Sequence, residues 1–321
     1  MASDNARGIL GISLIDDQLR IVEGERLENE LQITRIAHGR LRQPFSFEVF
    51  ADKNMPRRFA DDITRLCDTQ PFQVKQASFS LDSRMVLIKK IPVDKTIEEV
   101  ALPDHLIWEV RQFAISPIKE YIVDFEHLDG SDENGSLNYM LVVVVRKKIV
   151  EFLKQMFRHT SLNLKFIDVD IFSAQRALLL NYEYVNAAKI GLIDIEEKKV
   201  NFAILQGRNF CLTHDAALTI TNHNEDNWKD SAVRLISKEL RRVILDHQLG
   251  RGVEDLSEIF LYGEAVEDGI VEGLQNSYDV RIDRANPFKK VRLTTEVREK
   301  LNQQRSERFM ISLGAALRGI Q

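Results

Sequence analysis

The residues with chemistry to offer are carboxylates and glycines at the ends of apolar runs. Asp16 and Asp17 follow the run that carries Gly11 and Ser13. Asp194 closes a second run and is followed by Glu196 and Glu197, and Gly263-Glu264 follows a third, Ile259 to Tyr262. A carboxylate in such a place can organise hydrated Mg²⁺, and glycine lets backbone N–H groups close on a phosphate. Each also has a plainer reading. Asp16-Asp17 can be a solvated hairpin turn, Asp194 a strand end, and Gly263 a tight turn.

Complete catalytic motifs are missing. No Gly-x-x-x-x-Gly-Lys, His-Glu-x-x-His or Gly-x-Ser-x-Gly pattern occurs, and Gly11-Ile12-Ser13 continues as Leu14-Ile15. Gly250-Arg251-Gly252 suits a helix end and turn better than a dinucleotide loop. The adjacent pairs His214-Asp215 and Asp104-His105 are a common kind, and a dyad is defined by geometry. Arg234, Lys238, Arg241 and Arg242 share one helical stretch and read as a solvated face. These observations predict no catalytic residue and no metal ligand set.

The elements that must position these residues alternate between strand and helix. Gly8 to Ser13, Leu19 to Glu23 and Leu31 to Gly39 read as a three-stranded meander, and Pro56 to Cys67 as a helix. Phe72 to Leu81 reads as a strand, with Met85 to Ile91 its expected hairpin partner. A helix follows from Pro103 to Pro117, its apolar face made by Leu106, Ile107, Val110 and Phe113. Two strands, Tyr121 to Phe125 and Tyr139 to Val145, flank a polar loop, Asp129 to Ser136, expected to be a mobile excursion. Lys148 to Phe157 reads as the next helix.

From near Ala187 the pattern repeats. Lys189 to Ile195, Val200 to Leu205 and Phe210 to Leu218 form a second meander, the first two joined by Glu196-Glu197-Lys198-Lys199. A helix from Asp230 to about Leu249, the strand Ile259 to Tyr262 and a closing helix, Phe309 to Leu317, complete it. Two meanders, each followed by helices, predict a duplicated, mixed α/β fold.

Composition narrows the function classes. The 321 residues are 44% hydrophobic and 29% charged, with a net charge of -5, so no broad basic field exists to hold nucleic acid. The longest apolar run, Tyr139 to Val145, is far below the roughly 20 residues of a membrane helix. No cationic-then-apolar leader opens the chain, so no secretory signal is expected. Two cysteines, Cys67 and Cys211, fit a reducing cytosol.

Four stretches together carry a resemblance. They are Val86-Leu87-Ile88-Lys89-Lys90-Ile91-Pro92; Trp108-Glu109-Val110-Arg111 running through Ile115-Ser116-Pro117 to Tyr121-Ile122-Val123-Asp124-Phe125; Leu141 to Lys147 with Phe166-Ile167-Asp168-Val169-Asp170 and Ala174 to Ala177; and Ile311 to Arg318. In order and spacing the chain resembles the type IV pilus assembly PilM family of the actin-like ATPase superfamily, related to FtsA. The resemblance implies a two-lobed, actin-like (ribonuclease H-like) α/β fold with a small inserted α/β subdomain. The first lobe would comprise 1–77, 166–187 and 301–321, the insert 78–165 and the second lobe 188–300.

It also implies a nucleotide site, here degenerate, at Gly11, Ser13, Asp194, Glu196, Gly263 and Glu264. An active member would show Asp at position 13 and Gly at 15, where this chain has Ser13 and Ile15. A hydroxyl is a poorer Mg²⁺ partner, and isoleucine resists a positive φ. Glu196 stands where glycine is expected after Asp194, and Glu264 replaces the second glycine after Gly263. A carboxylate about 4 Å from a phosphate oxygen is repelled by roughly 4 kcal/mol at an effective dielectric near 20. The expected function is therefore a non-enzymatic adaptor of a pilus or secretion-like inner-membrane platform. It would lie in the cytoplasm at that membrane and bind the cytosolic N-terminal tail of a membrane-anchored partner, with no cofactor. Homo-oligomerisation is left open. An active ATPase, with Asp194 and Asp16 or Asp17 serving Mg²⁺ and ATP, is the alternative, and an FtsA-like filament the third reading.

Overall fold

The computed structural model describes residues 8–27, 30–131, 136–184, 188–218 and 227–320. Half of the polar loop expected at Asp129 to Ser136, residues 132–135, lies outside them.

The first long run, β1 (Gly8–Leu27), is a hairpin in itself. Twenty extended residues would span about 65 Å. Yet Gly8 packs so close to Gly24 that a Cβ on it would lie 3.0 Å from the Gly24 carbonyl oxygen. The chain reverses at Asp16, whose φ is 50°. The left-handed residue of the turn is thus Asp16 and not Ile15, which is wholly buried. Aspartate tolerates that region where a β-branched residue does not.

β2 (Glu30–Phe45) pairs antiparallel with the second arm of β1, while β3 (Gln76–Leu81) runs parallel to the first arm. β7 (Asn163–Val169) is parallel to β3, giving a sheet whose order begins β2-β1-β3-β7. The second sheet has the order β10-β9-β8-β11-β12, built from β8 (Lys189–Ile195), β9 (Lys199–Gln206), β10 (Asn209–Ala217), β11 (Glu258–Tyr262) and β12 (Arg281–Arg284). With the arms of β1 counted separately, both sheets read third, second, first, fourth, fifth strand. The duplication expected from the two meanders is therefore a repeat of sheet topology. A short parallel strand, β13 (Arg292–Leu293), extends the first sheet at its β2 edge.

Between β3 and β7 the chain leaves the first sheet. β4 (Val86–Asp94), β5 (Tyr121–Ser131) and β6 (Leu137–Arg146) form a separate antiparallel sheet, order β4-β6-β5. Helix α2 (Leu102–Phe113) packs Leu102, Leu106 and Val110 against it. The hairpin expected between Phe72–Leu81 and Met85–Ile91 does not form. Both edges of β3 are already taken, by β1 and β7, so β4 has no ladder to join there. This separate sheet spans 86–146, narrower than the expected insert. β3 stays in the first sheet, and α3 (Lys147–Arg158) packs on α1 (Met55–Asp68) in the first lobe's core, where Phe152 meets Phe45 and Phe59.

The second lobe has its own core under α5 (Asn227–Asp246) and α6 (Asp268–Gln275). A further cluster joins the lobes. Ile15, Val22 and Ile33 of one sheet and Leu192, Leu205 and Phe260 of the other share it with α4 (Asp170–Asn181) and α8 (Met310–Leu317). These two helices pack very closely. A Cβ on Gly314 would lie 1.7 Å from the Ser173 carbonyl oxygen, and one on Gly11 1.9 Å from that of Ser312. Among the described residues no helix is long and apolar enough to cross a membrane.

Candidate functional site

The cleft between the lobes is built from strand ends. Asp16 and Arg20 come from β1, Asp82 follows β3, Asp170 opens α4, Asp194 and Glu196 lie at the end of β8, Lys199 starts β9, and Gly263-Glu264 follows β11. Gly11 lies in the first arm of β1. It faces α8, where only a residue without Cβ fits. Ser13, two residues on, points to the same side of the strand and is wholly buried. The other four expected residues, Asp194, Glu196, Gly263 and Glu264, are brought together. Gly263 holds φ 111°, and a Cβ there would lie 2.5 Å from Asp194 Oδ1.

Two cations that strand reading passed over organise this cleft. Arg20, wholly buried, donates from Nη2 to Glu196 Oε2 and to Glu264 Oε2, each at 3.1 Å. Arg308 reaches the other oxygen of Glu264 at 3.0 Å. Lys199 Nζ lies 3.0 Å from Asp170 Oδ2, 3.3 Å from Asp82 Oδ1 and 3.7 Å from Asp194 Oδ2. Both clusters cross from one lobe to the other. Glu196 and Lys199 thus close the expected turn, the Glu196 N–H donating to the Lys199 carbonyl at 2.9 Å, while their side chains turn inward as buried ion-pair partners.

The turn acids are likewise engaged. Asp16 accepts from Arg84 at 3.0 Å, and Arg84 also grips Asp82 with Nε and Nη2. Asp17 lies 3.6 Å from Arg40, which also pairs with Glu197. Both stand in the turn expected, but each is ion-paired and only partly exposed.

Burial opposes charge throughout the cleft, and the cations decide which acids stay ionised. Burial pushes Asp82 up, but Lys199 and Arg84 outweigh it and hold the carboxyl at about 2. Burial also opposes the Lys199 charge, yet Asp170, Asp82 and Asp194 keep its pKa well above the usual lysine value. Glu264 is lowered against its burial by Arg20 and Arg308. Burial raises Asp170 and Glu196, and it lifts Asp194 well above the carboxylate range, with Glu196 adding to the effect. Neither carboxylate oxygen of Asp194 has a hydrogen-bond partner. His38, 3.5 Å from Glu264, is pushed down to about 4 by burial and by the Arg20 charge.

The other sequence candidates are structural. His214 contacts Glu239 and Arg242 of α5, while Asp215 accepts from Asn201, so the adjacent pair is no dyad. In the basic stretch, Arg242 pairs with Glu239 and Arg241 stacks over Tyr278. Among the described residues no group of three His, Cys, Asp or Glu side chains stands ready to hold a metal ion.

A groove of about 870 Å³ opens elsewhere, between the inserted sheet and the first lobe. Edge strand β5 forms one wall with Ile122, Phe125 and Leu128, and Val143 of β6 continues it. Phe172 and Arg176 of α4 form the opposite wall. Arg176 donates to Asp168 Oδ2 at 2.7 Å and to the Gly314 carbonyl at 2.9 Å, which fixes the guanidinium there. Its lining mixes apolar side chains such as Leu141, Val143 and Phe172 with the charged Asp168, Arg176 and Arg208.

Two α/β lobes of repeated topology, closed on a common cleft and carrying an inserted subdomain, define an actin-like fold. Within that class the chain belongs to the type IV pilus assembly protein PilM family, whose model matches residues 11–225. It is similar to the solved PilM–PilN type IV pilus biogenesis complex, with 20% identity and a TM-score of 0.79 over 98% of either chain. It is also similar to the cytoplasmic domain of EpsL, an inner-membrane component of the type II secretion system of Vibrio cholerae. There the identity is 9% and the TM-score 0.50, over 97% of this chain and 95% of that one.

Proposed function

We propose that this PilM-family chain is a non-enzymatic adaptor of a type IV pilus or secretion-like inner-membrane platform. It works at the cytosolic face of that membrane and takes the N-terminal tail of a membrane-anchored partner in the groove beside β5. The observation that carries the reading is the filling of the interlobe cleft. Arg20 and Glu196 have side chains at most 2% exposed, and so do Lys199, Asp82 and Asp194. A triphosphate would have to displace these pairs, and breaking one buried pair costs about 3–5 kcal/mol. Its phosphates would also meet Glu196 and Glu264. On this reading the nucleotide site is degenerate and neither ATP nor Mg²⁺ is a cofactor.

The groove supports the other half of the reading. An extended tail can add alongside an edge strand and place alternate side chains in apolar pockets. The similar PilM structure was solved as a complex with PilN.

Isothermal titration tests both halves. The full chain should give no heat with Mg-ATP and should bind a synthetic peptide of the cytosolic N-terminal tail of a single-span inner-membrane protein from its own organism. Ile122→Glu places a charge on the groove wall at a residue 39% exposed, and should abolish peptide binding without shifting the melting midpoint. Micromolar, Mg²⁺-dependent ATP binding would overturn the non-enzymatic reading. Undiminished peptide binding by the variant would remove the groove from it.

A further inference from the structure

Helices α1 and α3 cover one face of the first sheet side by side. Their apolar sides lie in its core, so their other sides form the surface of the protein there. Phe152 of α3 meets Phe50 and Phe59, which places the start of α1 against the middle of α3. Around that junction the exposed side chains are mostly cationic. Lys53, Arg57 and Arg58 stand at the start of α1. Lys147, Lys148, Lys154 and Arg158 run along α3. Over 47–61 and 147–158 these seven cations face four acids, on a chain whose net charge is -5. Two of the acids are engaged locally: Ser46 donates to Glu48, and the Asn54 N–H to Asp52.

Three observations set this surface apart from an ordinary solvated one. None of the seven cations makes an ion pair or a side-chain hydrogen bond with a described residue. Arg57, Arg58, Lys147 and Lys148 stand in the first turns of their helices, which carry no acid there. Cations in that place oppose the helix dipole, so local stability does not account for them. Phe47, 46% exposed, lies beside Phe50 at the edge of the same surface.

We propose that the outer surface of α1 and α3 docks on a bilayer containing anionic lipids, its cations against headgroup phosphates and Phe47 at the interface. Long cations around an exposed aromatic ring are what such a surface attracts. A specific acidic protein is met by cations held in place, as Arg176 is; here nothing holds them, which suits a fluid array of phosphates. Val150 of α3 lines the groove beside β5, and Lys147 and Lys154, three and four residues away, neighbour it on the helix. The docked face therefore borders the groove. This inference goes beyond the adaptor reading and does not depend on it, because lipid alone is the ligand.

The test is sedimentation of the full chain with sucrose-loaded vesicles, either pure phosphatidylcholine or with about one third phosphatidylglycerol. Only the anionic vesicles should carry the protein down, and raising salt from about 0.1 to about 0.5 M should release most of it. Combining Arg57→Glu, Arg58→Glu, Lys148→Glu and Lys154→Glu should weaken binding roughly tenfold or more. The melting midpoint should hold, since three of these carboxylates enter helix first turns. Phe47→Ala should weaken binding roughly threefold. A matched control reverses Arg111, Lys119, Arg234 and Lys238, exposed on the insert and the second lobe, and should keep most of the binding. No binding to anionic vesicles, undiminished binding by the surface variant, or an equal loss in the control overturns the proposal. So does capture by poly-glutamate without capture by vesicles, which would assign the face to an acidic protein. If the fourfold variant does not fold, Arg57→Gln with Arg58→Gln replaces it. That pair should weaken vesicle binding severalfold, and undiminished binding overturns the proposal.

Discussion

Asp168 and Asp170 stand two residues apart at the junction of β7 and α4, yet they serve different sites. Asp168 accepts from Arg176 in the groove wall, whereas Asp170 accepts from Lys199 in the interlobe cleft. The run Asp168-Val169-Asp170 therefore touches both features that define this molecule. Val169 between them packs in the core that joins the lobes.

Asp82 should dominate the acid limb of stability. Its folded value of about 2 lies below the unfolded 3.8. Its contribution is therefore full above the unfolded value and disappears as pH falls through 2. The difference amounts to roughly 2 kcal/mol. Asp82→Asn should lose about 3 kcal/mol at neutral pH and flatten the stability profile below about pH 4, measured by urea unfolding across a pH series.

Asp194→Asn should behave in the opposite way. Burial, then Glu196, hold the Asp194 carboxyl well above its unfolded value, so stability falls as pH climbs past that value. A neutral side chain of the same shape removes the penalty. The variant should be at least as stable as wild type at pH 8 and show a shallower decline on the alkaline side. A loss as large as that of Asp82→Asn would contradict this assignment.

His38 should give a separate, rising limb. Its folded value of about 4 lies below the ordinary 6.5, so the unfolded chain binds the extra proton in between. Stability from this residue is complete above 6.5 and is lost as pH falls toward 4. Subtracting the urea-unfolding profile of His38→Gln from that of wild type should isolate this limb.

Gly11→Ala and Gly314→Ala should both fail through packing. The added methyl groups would meet backbone carbonyl oxygens at 1.9 and 1.7 Å, where no flexible side chain can move aside. Each should cost more than about 3 kcal/mol or abolish soluble expression, beyond the usual penalty of overpacking. Gly39→Ala, which meets only the Leu66 side chain at 3.1 Å, is the mild control.

The repeated meanders were legible because strand alternation and polar turns are local signals. The pairing of β4 was not, since nothing near Ser83 or Arg84 reveals that both edges of β3 are occupied from 65 residues or more away in the chain. Arg20 carried a readable clue. It stands inside Leu19-Arg20-Ile21-Val22, where a charge between apolar neighbours needs a buried partner. The identity of that partner, Glu196, comes from the far lobe and has no local trace. Lys199 was hidden by its neighbours, because Glu196-Glu197-Lys198-Lys199 has the composition of an exposed turn. The contact of Gly11 with α8 was hidden for the converse reason: a glycine needed for helix contact looks the same in sequence as one needed for a phosphate.

The inserted sheet departs from β3, an inner strand clamped on both sides, and the chain returns through α3 to the adjacent β7. A tug on anything seated beside β5 is therefore delivered lengthwise into the middle of the first sheet. Its hydrogen bonds to β1 and β7 bear that load side by side and cannot be unzipped singly from a free margin. On the proposed reading, with a partner held beside β5, this anchorage makes the handle as hard to pull out as the body is to shear.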